Sequence, residues 1–348
     1  MRAKRFCLKT ASGLGQPVPV AMTRVLKLFL ITILVAVSVV AAQRKTQAHE
    51  SSPQYVDLAG WGRTNSFRVV WNSNGRDFML TNRSWQLAFT VNSRQTEING
   101  VKAWLSFPVV ARGTNASIAL LDIQKLIRPL LTPARNNPQR KVTLVALDPG
   151  HGGKDKGFET AGYQEKTHTL LLARRLQSLL ESAGLKVLLT RSSDVFVELD
   201  ERVALAKRRR ADIFVSLHYN SAGNGGGDAK GVECYCLTPA GAKSTNTRPD
   251  DNATTKAVPG NNNDSRNVLL AYLIQKAMVT SLDVEDRGIR RARFLVLREA
   301  AMPAILIEGG FMSAPDERRR LVGLERRRDL AQAIADGILD YKRLVERQ

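Results

Sequence analysis

The sequence predicts an α/β fold: a mostly parallel or mixed sheet with helices on both faces, preceded by a small β-rich module. Three observations carry that expectation. From residue 141 onward, short apolar runs alternate with longer amphipathic ones, the pattern of strands and helices taking turns. The first such run, "VTLVALD" (142–148), is continuously apolar, as a strand buried on both faces is. Before residue 136 the character differs, with short β-prone runs, a hairpin signal and little helical periodicity.

Taken in order, the chain begins with "LFLITILVAVSVVAA" (28–42), an apolar run of 15 residues. A spanning helix needs about 20. The run follows Arg24 and Lys27 and ends in small residues, so residues 1–42 are read as a signal peptide, cut near Ala42, or as a membrane anchor. Met22 opens "MTRVLK", a more typical start for such a segment than residues 1–21. On either reading the folded part works outside the cytoplasm, periplasmic or secreted. Residues 54–135 form the small module. Its strands are "FRVVW", "DFMLTN", "WQLAFTV" and "VKAWLSFPVV", and Asn99-Gly100 marks a type I′ hairpin turn. A helix is expected over 116–131, and Pro133 to Pro138 make a linker. No catalytic constellation falls here, which leaves binding, positioning or scaffolding.

The second domain spans 141–345. "EKTHTLLLARRLQSLLESAG" (165–184) places Leu172, Leu176, Leu179, Leu180 and Ala183 on one stripe, with Gly184 as its C-terminal cap. "LKVLLT", "ADIFVSL", "GVECYCL", "RFLVL" and "AILIE" read as strands, and two long amphipathic stretches toward the C-terminus read as helices. The segment 239–265 is rich in Pro, Gly, Asn and Asp and is expected to be a mobile loop.

Charge and cysteine content limit the function classes. There are 52 Lys and Arg against 32 Asp and Glu, a net charge of +20. That excess favours an anionic partner, but export removes nucleic acid from reach. "KRRR" (207–210), "RGIRRARF" (287–294) and "ERRRLVGLERRR" (317–328) read as solvated helix faces or loops. The three cysteines, Cys7, Cys234 and Cys236, imply no disulfide framework, because a bridge between residues two apart on a strand is strained.

Four residues stand where a shared site would form, at strand ends or helix starts. His151 follows the strand 142–148, Glu165 opens the first long helix, His218 ends "ADIFVSL", and Glu308 ends "PAILIE". His, Glu and His with one open position are the ligand set of a catalytic zinc site. Zinc lowers the pKa of water from 15.7 to roughly 7 and polarises carbonyls. Glu308, followed by Gly309-Gly310, suits the proton acceptor that hydrolysis also needs. The loop "DPGHGGKDKG" is not a phosphate cradle: Asp148 stands where G-x-x-x-x-G-K-[ST] requires its first Gly, and Asp155 where it requires Ser or Thr. The glycines instead let the loop turn sharply and bring His151 inward, while Asp148 orients His151 or a loop amide, or caps the turn. His168, in E-x-x-H register with Glu165, is the competing ligand.

At these residues the chain resembles the zinc-dependent N-acetylmuramoyl-L-alanine amidases of the AmiC type, bacterial cell-wall hydrolases. The resemblance covers about 141–345 and rests on "ALDPGHGGKDKG", "EKTHTLLLARRL", "VLLTRSSDVFVELDERVALA", "ADIFVSLHYNS" and "DRGIRRARFLVLREAAMPAILIEGGFMSAPDE" in that order. It implies a mixed sheet with flanking helices. It implies hydrolysis of the amide joining N-acetylmuramic acid to L-alanine in peptidoglycan, at Zn2+ held by His151, Glu165 and His218 with Glu308 as the catalytic glutamate. Asn220 becomes a substrate-side residue by the same mapping. The implied partners are peptidoglycan and an activator protein; no nucleic acid is expected, and the membrane is met only through the N-terminal segment. Departures from the family pattern fall at His168, Tyr219 and Gly309, and none removes a ligand. Some relatives carry an inhibitory helix in the region of 239–265, which the Pro, Gly and Asn content argues against here. The rival readings are a zinc peptidase cutting within the stem peptide and a non-catalytic wall-binding relative.

Overall fold

The structure is a computed structural model that describes residues 53–347 apart from 73–74, 114, 161, 224–227 and 246–254. The apolar segment 28–42 lies outside the described residues. Among those described, no helix is long and apolar enough to cross a membrane.

The chain enters through β1 (Tyr55–Asp57) and α1 (Leu58–Thr64), whose first turn is capped by Asp57 accepting from the Gly60 amide. A meander follows: β2 (Arg68–Trp71), β3 (Asp77–Thr81), β4 (Gln86–Thr90), β5 (Gln95–Ile98) and β6 (Val101–Trp104). Asn99 and Gly100 both have positive φ, 48° and 78°, the geometry of the expected type I′ turn between β5 and β6. β7 (Val110–Arg112) and β8 (Asn115–Ala119) join β1 in a small sheet. The helix expected over 116–131 therefore starts late. Residues up to 119 pair as β8, and α2 occupies 120–131 with a π-wound turn at Ile123–Ile127.

The alternating half contributes β9 (Leu144–Pro149), a short hairpin of β10 (Glu159–Thr160) and β11 (Tyr163–Gln164), α3 (Glu165–Ser182), β12 (Lys186–Leu189), α4 (Leu199–Arg208), β13 (Ile213–Asn220) and β14 (Val232–Leu237). It continues with α5 (Asp264–Ser281), β15 (Asp286–Ala292), α6 (Leu295–Arg298), β16 (Ala304–Phe311), α7 (Pro315–Leu321) and α8 (Leu324–Glu346). Among the described residues the large sheet has eleven strands in the order β12-β9-β13-β16-β14-β15-β6-β5-β4-β3-β2. It is mixed. β12, β9, β13 and β16 run parallel, β14 is antiparallel to β16, β15 and β6 follow β14 in parallel, and the meander alternates. The strands of 54–135 thus extend the same sheet that the second half builds.

Each sheet face has its own core. Val145 and Leu147 of β9 point to the side of Leu172, Leu176 and Leu180 of α3, Val268 and Ile274 of α5, and Ile334 and Ile338 of α8. Ala146, between them, points the other way, with Phe214 and Leu306 against Val203 and Ala206 of α4 and Val296 and Leu297 of α6. α3 ends as its sequence indicates, with Gly184 at φ 83° and its amide on the Glu181 carbonyl, although Ala183 is exposed.

Two expectations are overturned. "RFLVL" is not a strand, because Leu295–Arg298 is a helical turn. "RGIRRARF" is not a solvated face, because most of it is β15 or just beyond it, with Arg291 and Arg293 buried. Buried guanidiniums need partners. Arg291 donates to the Cys236 sulfur at 3.0 Å and the Lys125 carbonyl at 2.9 Å, and Arg293 to the carbonyls of Pro239 and Lys256 at 3.1 Å each. The segment 239–265, expected as a mobile loop, is anchored at both flanks. Ala242 and Ser244 are buried, the Thr245 amide donates to the Arg291 carbonyl, and Pro259–Asn263 forms a 3-10 turn leading into α5. Its centre, 246–254, lies outside the described residues.

Candidate metal centre and active-site cleft

Three adjacent parallel strands, β9, β13 and β16, deliver their carboxyl ends to one place, where sites form in α/β sheets. His151 stands two residues past β9, with φ 63°. His218 lies near the end of β13, and Glu308 is its direct partner on β16, so both project from the same face. Glu165 reaches the same place as the first residue of α3, where the helix dipole favours a carboxylate.

The three side chains meet. One oxygen of Glu165, Oε1, lies 3.0 Å from Nε2 of His151 and 3.0 Å from Nδ1 of His218. The candidate ligand atoms of His151, Glu165 and His218 all lie within 4.8 Å of one another. Glu165 is further fixed by backbone donors: the Tyr219 amide to Oε1 at 3.1 Å and the Phe158 amide to Oε2 at 3.0 Å. Burial pushes its pKa up, but the hydrogen bonds and charges of the two imidazoles outweigh burial and hold it well below the usual carboxylate range. Burial likewise opposes the charge on His151, and the facing Glu165 and Asp155 carboxylates overcome that to raise its pKa.

Two imidazoles and an ionised carboxylate, converging on a small volume and open to a cleft, fit a divalent cation of the zinc type. The surroundings fit as well. Nδ1 of His151 lies 2.8 Å from Asp155 Oδ2. In the neutral imidazole that contact places the proton on Nδ1 and leaves the lone pair of Nε2 inward. The glycines are space rather than phosphate donors. A Cβ on Gly150 would stand 2.2 Å from His218 Cε1, and one on Gly157 would stand 2.6 Å from both Glu165 Oε2 and His151 Cδ2.

Asp148 does not touch His151. Its carboxylate is buried, accepts from Thr190 and Ser216 at 2.5 and 2.8 Å, and pairs with Arg202 at 2.9 Å. Arg202 in turn donates to the carbonyls of Pro149 and His151, so Asp148 fixes the loop through a guanidinium. Arg191 adds donors to the Pro149 and Gly150 carbonyls. The His151 loop is therefore tied down on its backbone, which is how a non-glycine residue is held at positive φ. His168 is not in the cluster. It lies one helical turn beyond Glu165 along α3, beside Tyr163, ring centroids 6.1 Å apart.

The cleft over the centre has a volume of about 450 Å³, and Asn220 and Glu308 line it together with His151, Glu165 and His218. Its apolar wall is Phe158, Phe294, Leu295 and Leu306. Asn220 donates through Nδ2 to Glu233 Oε1 at 2.7 Å.

A model of the family described as N-acetylmuramoyl-L-alanine amidase matches residues 145–340, more than half of the chain. The chain belongs to that family. AmiC of Neisseria meningitidis, an N-acetylmuramoyl-L-alanine amidase, is 35% identical over 230 residues, 60% of this chain and 55% of that protein. AmiA of Escherichia coli is 31% identical over 220 residues, 57% of this chain and 75% of that protein. The chain thus spans about half of AmiC and three quarters of AmiA. Among solved structures, the amidase AmiC2 of Nostoc punctiforme is 36% identical, covering 57% of this chain and 96% of that one, with a TM-score of 0.48.

The amidase-family match runs from Val145 in β9 to Asp340 in α8, so it contains every residue of the centre and none of β1–β8. Within it, residue-by-residue reading missed Asp155, Arg191, Arg202 and Glu233. Asp155 alone carried a usable signal, since an acidic residue four positions after a candidate ligand can return to orient it. The others become visible only through tertiary contacts.

Proposed function

We propose that the chain hydrolyses the amide between N-acetylmuramic acid and L-alanine in peptidoglycan, outside the cytoplasm. What supports this reading is the convergence of His151, Glu165 and His218 in one cleft with Glu308 in strand register beside them, in a chain of the amidase family. His151 through Nε2, His218 through Nδ1 and Glu165 through a carboxylate oxygen would hold Zn2+. Bound there, zinc supplies a Lewis acid that makes water acidic and polarises a carbonyl.

The chain's own groups do the rest. The Glu308 carboxylate takes a proton from the attacking water and returns it to the alanine nitrogen as the C–N bond breaks, so one group serves first as base and then as acid. Asp155 keeps the His151 ring oriented. Phe158, Phe294 and Leu306 exclude bulk water from one side of the cleft, and Asn220 offers a polar contact to substrate.

The test is digestion of purified peptidoglycan with and without a chelator, read by mass spectrometry. Release of intact stem peptides bearing a free L-alanine amine, abolished by chelation and restored by zinc, is expected. Fragments cut within the stem would move the assignment to a peptidase, and no release at all would remove the enzymatic reading.

A further inference from the structure

Trp104 lies outside residues 145–340, yet a chain of contacts through Arg290 and Glu233 joins it to Asn220 in the cleft. β6 pairs in parallel with β15, Ala103 opposite Ile289, and those two residues are buried together in one core. Trp104 and Arg290, one position on, therefore share the other face, the face that carries His218, Glu308 and Glu233 in one cross-strand row. The Arg290 guanidinium carbon stands 4.6 Å from the centroid of the Trp104 ring, and the indole Nε1 donates to the Arg287 carbonyl at 3.1 Å. Nε of Arg290 and Nε of Arg287 lie 2.7 and 3.2 Å from one oxygen of Glu233, which is 2% exposed. The other oxygen of Glu233 accepts from the Tyr235 hydroxyl and from Nδ2 of Asn220.

We propose that Trp104 is a positioning residue for the amidase site: it holds Arg287 and Arg290 on Glu233 and through them fixes the side-chain amide of Asn220 in the cleft. The N-terminal extension is then a working part of the catalytic unit. A buried carboxylate is tolerated only while its partners stay in place. Arg290, with its side chain 16% exposed, is kept from swinging into water by the stacking surface of the indole. Glu233, held by two guanidiniums, presents a fixed acceptor. Asn220 is thereby locked with Nδ2 toward Glu233 and Oδ1 accepting from the Ser221 amide at 2.8 Å.

The inference uses the amidase reading only for its activity readout, so the test has a second readout free of it. In the full chain, the side-chain amide resonances of Asn220, identified by their loss in N220A, are followed by NMR in W104A, W104F and R290Q. They are expected to shift in W104A and R290Q and to stay in place in W104F, which keeps an aromatic face. Resonances that stay put in W104A and R290Q overturn the proposal, and R290Q carries the test if W104A does not fold. In parallel, W104A is expected to lower kcat/KM on peptidoglycan about tenfold with zinc content unchanged, and to add less than twofold in an N220A background. Losses that multiply in the double variant contradict a shared route through Asn220. A wild-type protein that releases no stem peptide defeats the amidase reading, while the resonances still decide the role of Trp104.

Discussion

Replacing Gly150 by Ala puts one methyl group against the His218 imidazole. Gly150 does not have positive φ, so alanine costs nothing in backbone strain and the whole effect is contact. The new Cβ would lie 2.2, 2.5 and 2.6 Å from Cε1, Nε2 and Nδ1 of the ring, where ordinary contact begins near 3.4 Å. Moving the nearest atom from 2.2 to 3.4 Å displaces the ring by about 1.2 Å. Metal–ligand distances tolerate about ±0.2 Å, so a shift of that size takes the His218 nitrogen out of coordination range. Changes that only disorient a ligand cost about 10- to 100-fold in metal affinity. A displaced ligand sits at or beyond the upper end, a weakening of about 100-fold or about 2.8 kcal/mol. The same crowding lowers the stability of the metal-free protein by about 1–3 kcal/mol. Competition against a chromogenic zinc chelator measures the first quantity and a urea melt the second. A G150A protein that binds zinc within threefold of the parent refutes the placement of His218 in the centre.

Glu308→Gln keeps the shape of the side chain and removes its proton acceptor, so turnover is expected to fall by about 10²- to 10⁴-fold while zinc stoichiometry is unchanged; an equally fast variant would remove Glu308 from the mechanism. Asp155→Ala frees the His151 ring, and zinc affinity should drop about 10- to 100-fold in the same chelator competition, whereas an unchanged affinity means the 2.8 Å contact does no orienting. Arg202→Met leaves the buried Asp148 carboxylate without its cation, and chemical denaturation should show a loss of about 3–5 kcal/mol. A loss below 1 kcal/mol would mean that the Thr190 and Ser216 hydroxyls suffice.

The strands and candidate ligands that the sequence reveals share one property: their local signal agrees with their place in the fold. β9 is apolar on both faces because both faces are covered. Asn99-Gly100 has the turn chemistry that its dihedrals require. His151, Glu165 and His218 sit where strands end or a helix begins, and the topology brings those ends together. β15 is the counterexample. Its stretch "DRGIRRA" has no apolar alternation, and its charges look like surface. It is nevertheless a strand between β14 and β6, where Glu233, Cys236 and the Lys125 carbonyl, far away in the chain, pair with its guanidiniums. The same holds for Asp148. Its sequence position next to the ligand loop points to His151, whereas the partner it pairs with is Arg202, 54 residues on. Buried ion pairs are set by three-dimensional proximity, and a linear reading has no access to them.

X-ray absorption spectroscopy of the zinc-loaded full chain tests the centre most directly. One zinc per chain is expected, with two imidazole nitrogens at about 2.0–2.1 Å, one carboxylate oxygen at about 2.0–2.2 Å and a non-protein oxygen completing the shell. Sulfur scattering at about 2.3 Å, a third imidazole from His168, or no stoichiometric zinc would contradict it.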